Sequence, residues 1–365
     1  MEHVDVAVVG GGVTGLSVAS AVAERGHSVC LVERHPRPGM ESSTHNSGVI
    51  HAGIYYETGS LRAKLCVEGR DRLYAFCRVH DVPHARCGKL IVALESDEIP
   101  QLEELARCAG ENGVNDTELV GRDFMRQREP HIEAVAALWS PSTGIVEAEA
   151  LVRSLARRAD ELGVMLLPGT RLERGTPSET GFELVTSSET FAAGVLVNAA
   201  GLYADEVSVA VGGEPFAIYP VRGEYAELVP RKRHVVNIPV YPLPDPSGHS
   251  LGVHLTRTTW GSVIIGPTAR SMSSKDDHES DRVPIEQFYR DVRRFVPSVE
   301  PEDLRVGGTG FQAALSRPDE PVADFLIRPD HRSPRLIHAA GIDSPGLTSC
   351  LAIGAAVRDL VEDAL

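Results

Sequence analysis

The sequence predicts a mixed fold: an α/β domain built on a parallel sheet, joined to an α+β domain built on an antiparallel one. Three observations predict it. The N-terminus reads as strand, glycine turn, helix, strand. Two more apolar strands, far downstream, run into small-residue turns. Between these, strand candidates cluster together instead of alternating with helices. At 365 residues the chain is long enough for two intimately joined domains.

Val4–Val9 is a short β-rich apolar run, suited to a buried parallel strand. Gly10, Gly12 and Gly15 follow with G-x-G-x-x-G spacing, and Leu16–Arg25 reads as a helix with Gly26 as its stop signal. Ser28–Glu33 is the second strand and ends on an acid. Gly10 permits the tight turn, Gly12 lets the backbone approach a pyrophosphate, and Gly15 lets helix pack on strand. Val13 and Thr14, within the glycine turn, are expected cofactor contacts; the helix N-terminus faces the phosphates, and Glu33 accepts from ribose hydroxyls. A plain glycine turn between strand and helix would not explain Glu33. The unit therefore reads as a Rossmann-like dinucleotide site.

Two downstream segments repeat the pattern of a strand entering a glycine-rich turn. Phe191–Asn198 leads into Ala199, Ala200 and Gly201. His338 leads through Gly341, Ser344, Gly346, Leu347 and Thr348 into an Ala-rich terminal helix. Backbone at such turns can touch a large planar cofactor. Three such turns favour a long, deeply buried dinucleotide, which is FAD. Arg34, Ser43 and Thr44 follow the acid, Arg171 would pass the adenine end, and Gly310 joins the glycines expected along the cofactor.

The remaining elements divide the chain. Leu61–His80 reads as a helix, Gly88–Leu94 as a strand and Pro100–Asn112 as an acidic helix. Glu147–Leu162 is a helix and Gly163–Leu167 the strand after it. Arg222–Leu228, Ser250–Thr256 and Ser262–Gly266 are antiparallel strand candidates, and Pro284–Phe295 is a helix. The expected division is 1–85, 145–215 and 306–365 for the FAD domain, and 86–144 and 216–305 for a substrate domain. The polar stretch Ser271–Asp281 reads as a mobile surface loop.

Composition narrows the partners. Charged residues are 24% and hydrophobic residues 42%, an ordinary soluble profile. The net charge of −15 argues against nucleic acid, which needs a basic face. The six cysteines show no C-x-x-C pairing and no metal spacing, so reduced core thiols and no metal are expected. No secretory leader and no membrane-span-length apolar run is read, which points to the cytoplasm, with association through an amphipathic surface left open.

Several motifs carry a resemblance: GGGVTG at 10–15, HNSGVIHAGIYY at 45–56, SLRAKLCVEG at 60–69, CGKLIVA at 87–93, GIVE at 144–147, NAAGLYAD at 198–205 and LGVHLT at 251–256. Together they resemble the L-2-hydroxyglutarate dehydrogenase/oxidase branch of the FAD-dependent D-amino-acid-oxidase-like superfamily, from about Val4 to the C-terminal helix. The glycine motif is generic; the 45–69 stretch is far more specific. The resemblance implies a small-molecule substrate, hydride transfer from its Cα to flavin N5, and oxygen or a quinone as the final acceptor.

That chemistry sets requirements. An alcohol is a poor acid, so a base must sit at the hydroxyl, and histidine suits neutral pH. The carboxylate must be held, which arginine does best. His51 is the first candidate base; its plainer alternative is a cofactor support. His45, Asn46 and Ser47 are expected to contact the flavin. His254, alternating with apolar neighbours in Leu251–Thr256, is the second candidate, against a satisfied core histidine. Arg222, Tyr225, Tyr241 and Arg257 are candidate substrate contacts, each weighed against a packing or solvated role. One departure stands out: where the resembled family carries G-[IV]-R, this chain has Gly310-Phe311-Gln312. Glutamine cannot make the charged fork. Arg317, Arg222 or Arg257 would then take over, or the substrate is not a simple diacid. The reading is oxidation of a CH–OH group of a small 2-hydroxy acid. A D-amino-acid or secondary-amine oxidase, another specialised metabolite, and a non-catalytic flavin-fold binding protein stand as alternatives.

Overall fold

A computed structural model describes residues 2–244, 249 and 251–365. Met1 and Ser250, the expected starts of the first domain and of one strand, lie outside the described residues.

Five parallel strands form the centre of one sheet, in the order Leu336–Ala340, Thr190–Asn198, His3–Val9, Val29–Glu33 and Met165–Pro168. Their sequences are nearly continuous apolar runs because both faces are covered. Alternation sorts the side chains: Val6, Val8, Val29 and Leu31 enter one core, while Ala7, Val9, Cys30 and Val32 enter the other. The helix Val13–Ala23 packs on the first face with Ala148–Glu161 and Gly346–Ala364. The hairpin Leu172–Ser178/Gly181–Thr186 extends the sheet antiparallel to Thr190–Asn198.

The first helix begins three residues earlier than its periodicity suggests, directly on the glycine turn. Gly10 takes φ +109°, and a Cβ on Gly15 would lie 1.9 Å from the Gly10 carbonyl oxygen. Strand and helix approach too closely there for any side chain.

The second sheet has nine strands. It runs from Arg270–Ser271 through Tyr219–Leu228, Val263–Gly266, His254–Arg257, Val240–Tyr241, Lys89–Ala93 and Ala136–Ser140 to Glu118–Gly121. Neighbours are antiparallel except where Val240–Tyr241 meets Lys89–Ala93, the seam between its two chain excursions. The helix Ile285–Val292 and residues around Phe295 close one core on this sheet, and Ile99–Glu111 closes another. Leu304–Ala314 pairs along Tyr219–Leu228, so the chain stays in the antiparallel sheet to Ala314 rather than leaving it at 306. The long pairing runs from Leu228↔Leu304 to Tyr219↔Ala314, and a break at 306 would have cut through it. No helix of the described residues is long and apolar enough to cross a membrane.

Candidate active site

A cavity of about 1010 Å³ lies between the two sheets. One end is lined by Val32, Glu33, Arg34, Arg171 and Leu172, its middle by the 10–14 and 42–48 turns, and the other end by Tyr55, Tyr225, Tyr241 and His254. It opens at the carboxyl ends of the parallel strands, where the chain of Val9, Glu33 and Ala199 reaches it, as expected for a doubly wound sheet.

Most residues expected along the cofactor line this one cavity. Gly10, Gly12, Val13, Thr14, Glu33, Arg34, Ser43, His45, Asn46, Ser47, Arg171, Ala199, Ala200, Gly201, Gly310, Ser344, Gly346 and Leu347 all line the cavity. The Glu33 carboxylate accepts from the Gly11 amide at 2.6 Å and the His35 amide at 2.8 Å, which fixes it at the strand end. Arg34 pairs with Glu41 and lies over the Tyr203 ring. The helix N-cap Gly12 offers no capping side chain, and the first turn holds no acid, leaving a positive helix end for an anion. Four expected contacts do not line the cavity. Gly15 is consumed in helix packing, and the Thr44 hydroxyl donates to the Gly39 carbonyl at 2.6 Å. Gly341 backs onto Leu315. The Thr348 hydroxyl donates to the Val49 carbonyl and receives the His51 amide at 2.9 Å, so it holds the histidine loop in place.

At the other end, His51, Tyr225, Tyr241, His254 and Gln312 line the cavity. His51 is partly exposed to it, whereas His254 is 4% exposed and stacks on Tyr241 at 3.7 Å. His254 Nδ1 lies 3.0 Å from the Gly252 carbonyl, which can only accept, so Nδ1 carries the proton and Nε2 the lone pair. Buried His51 Nδ1 and His254 Nε2 have no hydrogen-bond partner among the described residues. Burial, then Lys89, then His254 pull the His51 pKa well below its ordinary value; burial above all takes His254 to about 3. Both rings are therefore neutral at pH 7. The Tyr225 hydroxyl lies 3.2 Å from the Ser47 hydroxyl.

Three expected substrate arginines are elsewhere, for one physical reason each. In Tyr219–Leu228 the odd positions Val221, Gly223 and Tyr225 face the cavity, so Arg222 and Glu224 point to the opposite face. There Arg222, fully buried, donates to Glu224 at 2.9 Å and to the carbonyls of Asp277 and Ser280. This grip, with Lys275 on Asp205 and Glu206, ties down the 271–281 loop that the sequence reads as mobile. Arg257 donates to the Arg233 and Val236 carbonyls. Arg317 is exposed and lies over the Tyr219 ring.

Lys89 and Tyr55 were missed. The lysine is fully buried, donates to the Tyr55 hydroxyl at 2.9 Å, and sits 4.4 Å from the ring centres of Tyr55 and Tyr241. Its signal was available: one charged residue in the otherwise apolar run Gly88–Leu94. All six cysteines are free, and Cys350 is in the core. Glu214, Asp330 and His338 converge, but Asp330 is bonded to His338 at 2.9 Å and Arg328 pairs with Glu214 at 2.6 Å, an internal ion network.

The family of FAD dependent oxidoreductases (DAO) matches residues 5–360. The chain belongs to this family. FAD fits the long cavity with its acid-free helix end and glycine-lined turns, and the enzyme is an FAD-dependent oxidoreductase. Among curated relatives of this DAO enzyme, a mitochondrial L-2-hydroxyglutarate dehydrogenase of Nematostella vectensis is 34% identical, covering 98% of this chain and 90% of that protein. The L-2-hydroxyglutarate dehydrogenase of Escherichia coli is 31% identical, covering 99% and 94%. Among solved structures, an L-alpha-glycerophosphate oxidase from Mycoplasma pneumoniae with FAD bound superposes with a TM-score of 0.91 at 27% identity, over 99% of this chain and 95% of that one. A glycine oxidase from Geobacillus kaustophilus shares the fold with a TM-score of 0.84 at 22% identity, over 100% and 95%.

Proposed function

We propose that this oxidoreductase converts the CH–OH group of a small 2-hydroxy acid to the 2-oxo acid, with His51 accepting the hydroxyl proton. The supporting observation is a neutral histidine on the cavity wall of a chain similar over nearly its whole length to L-2-hydroxyglutarate dehydrogenases. Bound FAD supplies the hydride acceptor. The protein supplies the rest. Gly10, Gly12–Thr14, Glu33, Ser43, His45–Ser47 and Ala199–Gly201 hold the cofactor along the cavity. His51 is held through its backbone by Thr348 and lines the cavity, where its neutral ring is placed to take the hydroxyl proton. His254, stacked on Tyr241, lines the same end of the cavity.

Anaerobic mixing with a panel of L- and D-2-hydroxy acids, amino acids and N-alkyl amino acids tests the reading. Bleaching by a hydroxy acid, with a 2-oxo acid formed and no nitrogen released, supports it. Bleaching by amines alone overturns it. Gln312 bears on the choice within the class, because an uncharged amide at the cavity wall gives a second carboxylate no ionic partner. Gln312→Arg is expected to improve kcat/KM for a 2-hydroxy diacid by about 10-fold or more, the scale of one charge-assisted hydrogen bond. No gain with any carboxylate substrate counts against that role. Six free thiols accord with a reducing, cytoplasmic setting, and oxygen or a quinone completes the cycle.

A further inference from the structure

We propose that Tyr55, oriented by Lys89, is the subsite that receives the substrate's carboxylate. The inference rests on the hydroxy-acid reading and names the group that would recognise the acid.

The cavity's cations are otherwise spent. Arg34 pairs with Glu41 at the nucleotide end, where Arg171 also lies, close to Glu173. Arg62 pairs with Asp343 at 2.5 Å and donates to the carbonyls of Ala323 and Ser344. The expected arginines point elsewhere, and Gln312 is neutral. Lys89 is different. It is fully buried, and among the described residues it has no carboxylate partner. A buried ammonium without an anion is costly, and burial takes Lys89 down to about 7. Two tyrosine rings at 4.4 Å offset part of that cost.

The direction of its hydrogen bond carries the argument. A protonated Lys89 only donates, so the Tyr55 oxygen accepts from it, the phenolic hydrogen is left to donate elsewhere, and an arriving carboxylate favours that protonated form. Tyr55 lines the cavity. Lys89 therefore fixes Tyr55 as a donor, strengthened by a positive charge directly behind it, and an arriving carboxylate would find both hydrogen bond and counter-charge. Lys89 itself stays behind the ring as a positioning residue.

The test uses the FAD-loaded enzyme and ligands that cannot be oxidised. Glutarate and 2-oxobutyrate, with their uncharged amides, are titrated while the flavin absorbance is followed. Lys89→Met and Tyr55→Phe are expected to weaken both carboxylates about 10- to 100-fold and to leave the amides within twofold. Lys89→Arg is expected to recover part of the loss. Flavin content, measured first, reports folding, and Tyr55→Phe keeps the lysine and the ring if Lys89→Met does not hold flavin. Carboxylate affinities within twofold of wild type, amides weakened equally, or no carboxylate binding to the wild type would each overturn the proposal. Bleaching of the wild type by 2-hydroxy acids is scored separately: its absence sinks the oxidation reading whatever the titrations give.

Discussion

Replacing His51 with alanine is expected to slow flavin reduction by about 10²- to 10⁴-fold while leaving FAD bound, the usual contribution of a positioned general base. The expectation comes from placement. His51 lines the cavity, is held by Thr348 through its backbone rather than its ring, and has no partner for its Nδ1 among the described residues. His254→Ala is expected to cost less, because that ring is nearly enclosed and stacked on Tyr241. Rapid mixing with substrate under anaerobic conditions separates the two. Equal losses, or a larger loss at 254, would move the proton to the other ring. The pH profile gives a second check. Burial, Lys89 and His254 keep His51 neutral, so the acid limb of kcat/KM should fall below the ordinary histidine value of 6.5.

Glu224→Ala is expected to destabilise the fold by about 3–5 kcal/mol, the cost of stranding a buried partner charge. Glu224 is fully buried, accepts from Arg222 at 2.9 Å and Arg282 at 2.9 Å, and also receives the Val283 amide at 2.8 Å. Removing it leaves the enclosed Arg222 with carbonyls and the more distant Asp277 carboxylate at 3.7 Å. Urea unfolding measures the loss. The double change Arg222→Met, Glu224→Leu should be less damaging than Glu224→Ala alone, since it removes both charges. Burial would raise the Glu224 pKa, but the Val283 amide, Arg222 and Arg282 hold it below the ordinary value. A carboxylate with a lowered folded pKa stabilises the protein at and above its unfolded pKa of about 4.3, and that contribution disappears as pH falls through the folded value. The variant should therefore lose less stability on acidification than the wild type. A loss under about 1 kcal/mol, or an unchanged acid limb, would mean that solvent reaches the pair.

The nucleotide half of the molecule was legible because its signals are local. Gly10, Gly12, Gly15 and Glu33 lie within one strand–helix–strand unit, and each position has a backbone reason to be what it is. The substrate half was less legible because its signals depend on which way a strand faces. Arg222 and Tyr225 are both candidate substrate contacts in the sequence, yet an odd separation of three puts them on opposite faces of one strand. Arg257 and Arg317 look free in the sequence, but carbonyls of the 233–236 segment and the Tyr219 ring claim them after folding. Lys89 comes close to the cavity only because Lys89–Ala93 pairs with Val240–Tyr241, more than a hundred residues away. No local pattern encodes that seam. The strand Leu304–Ala314 shows the same limit, since its membership is set by a partner strand and not by its own composition.

The two-faced strand Tyr219–Leu228 has a bearing on redesign. Its residues on the face away from the cavity lock a loop and the sheet together, while Val221 and Tyr225 line the cavity. Chemical selectivity and structural integrity are thus written on alternate letters of one short segment. A saturation library confined to 221 and 225, joined with 312 on the adjoining strand, could reshape what the enzyme accepts while sparing the charged lattice behind it.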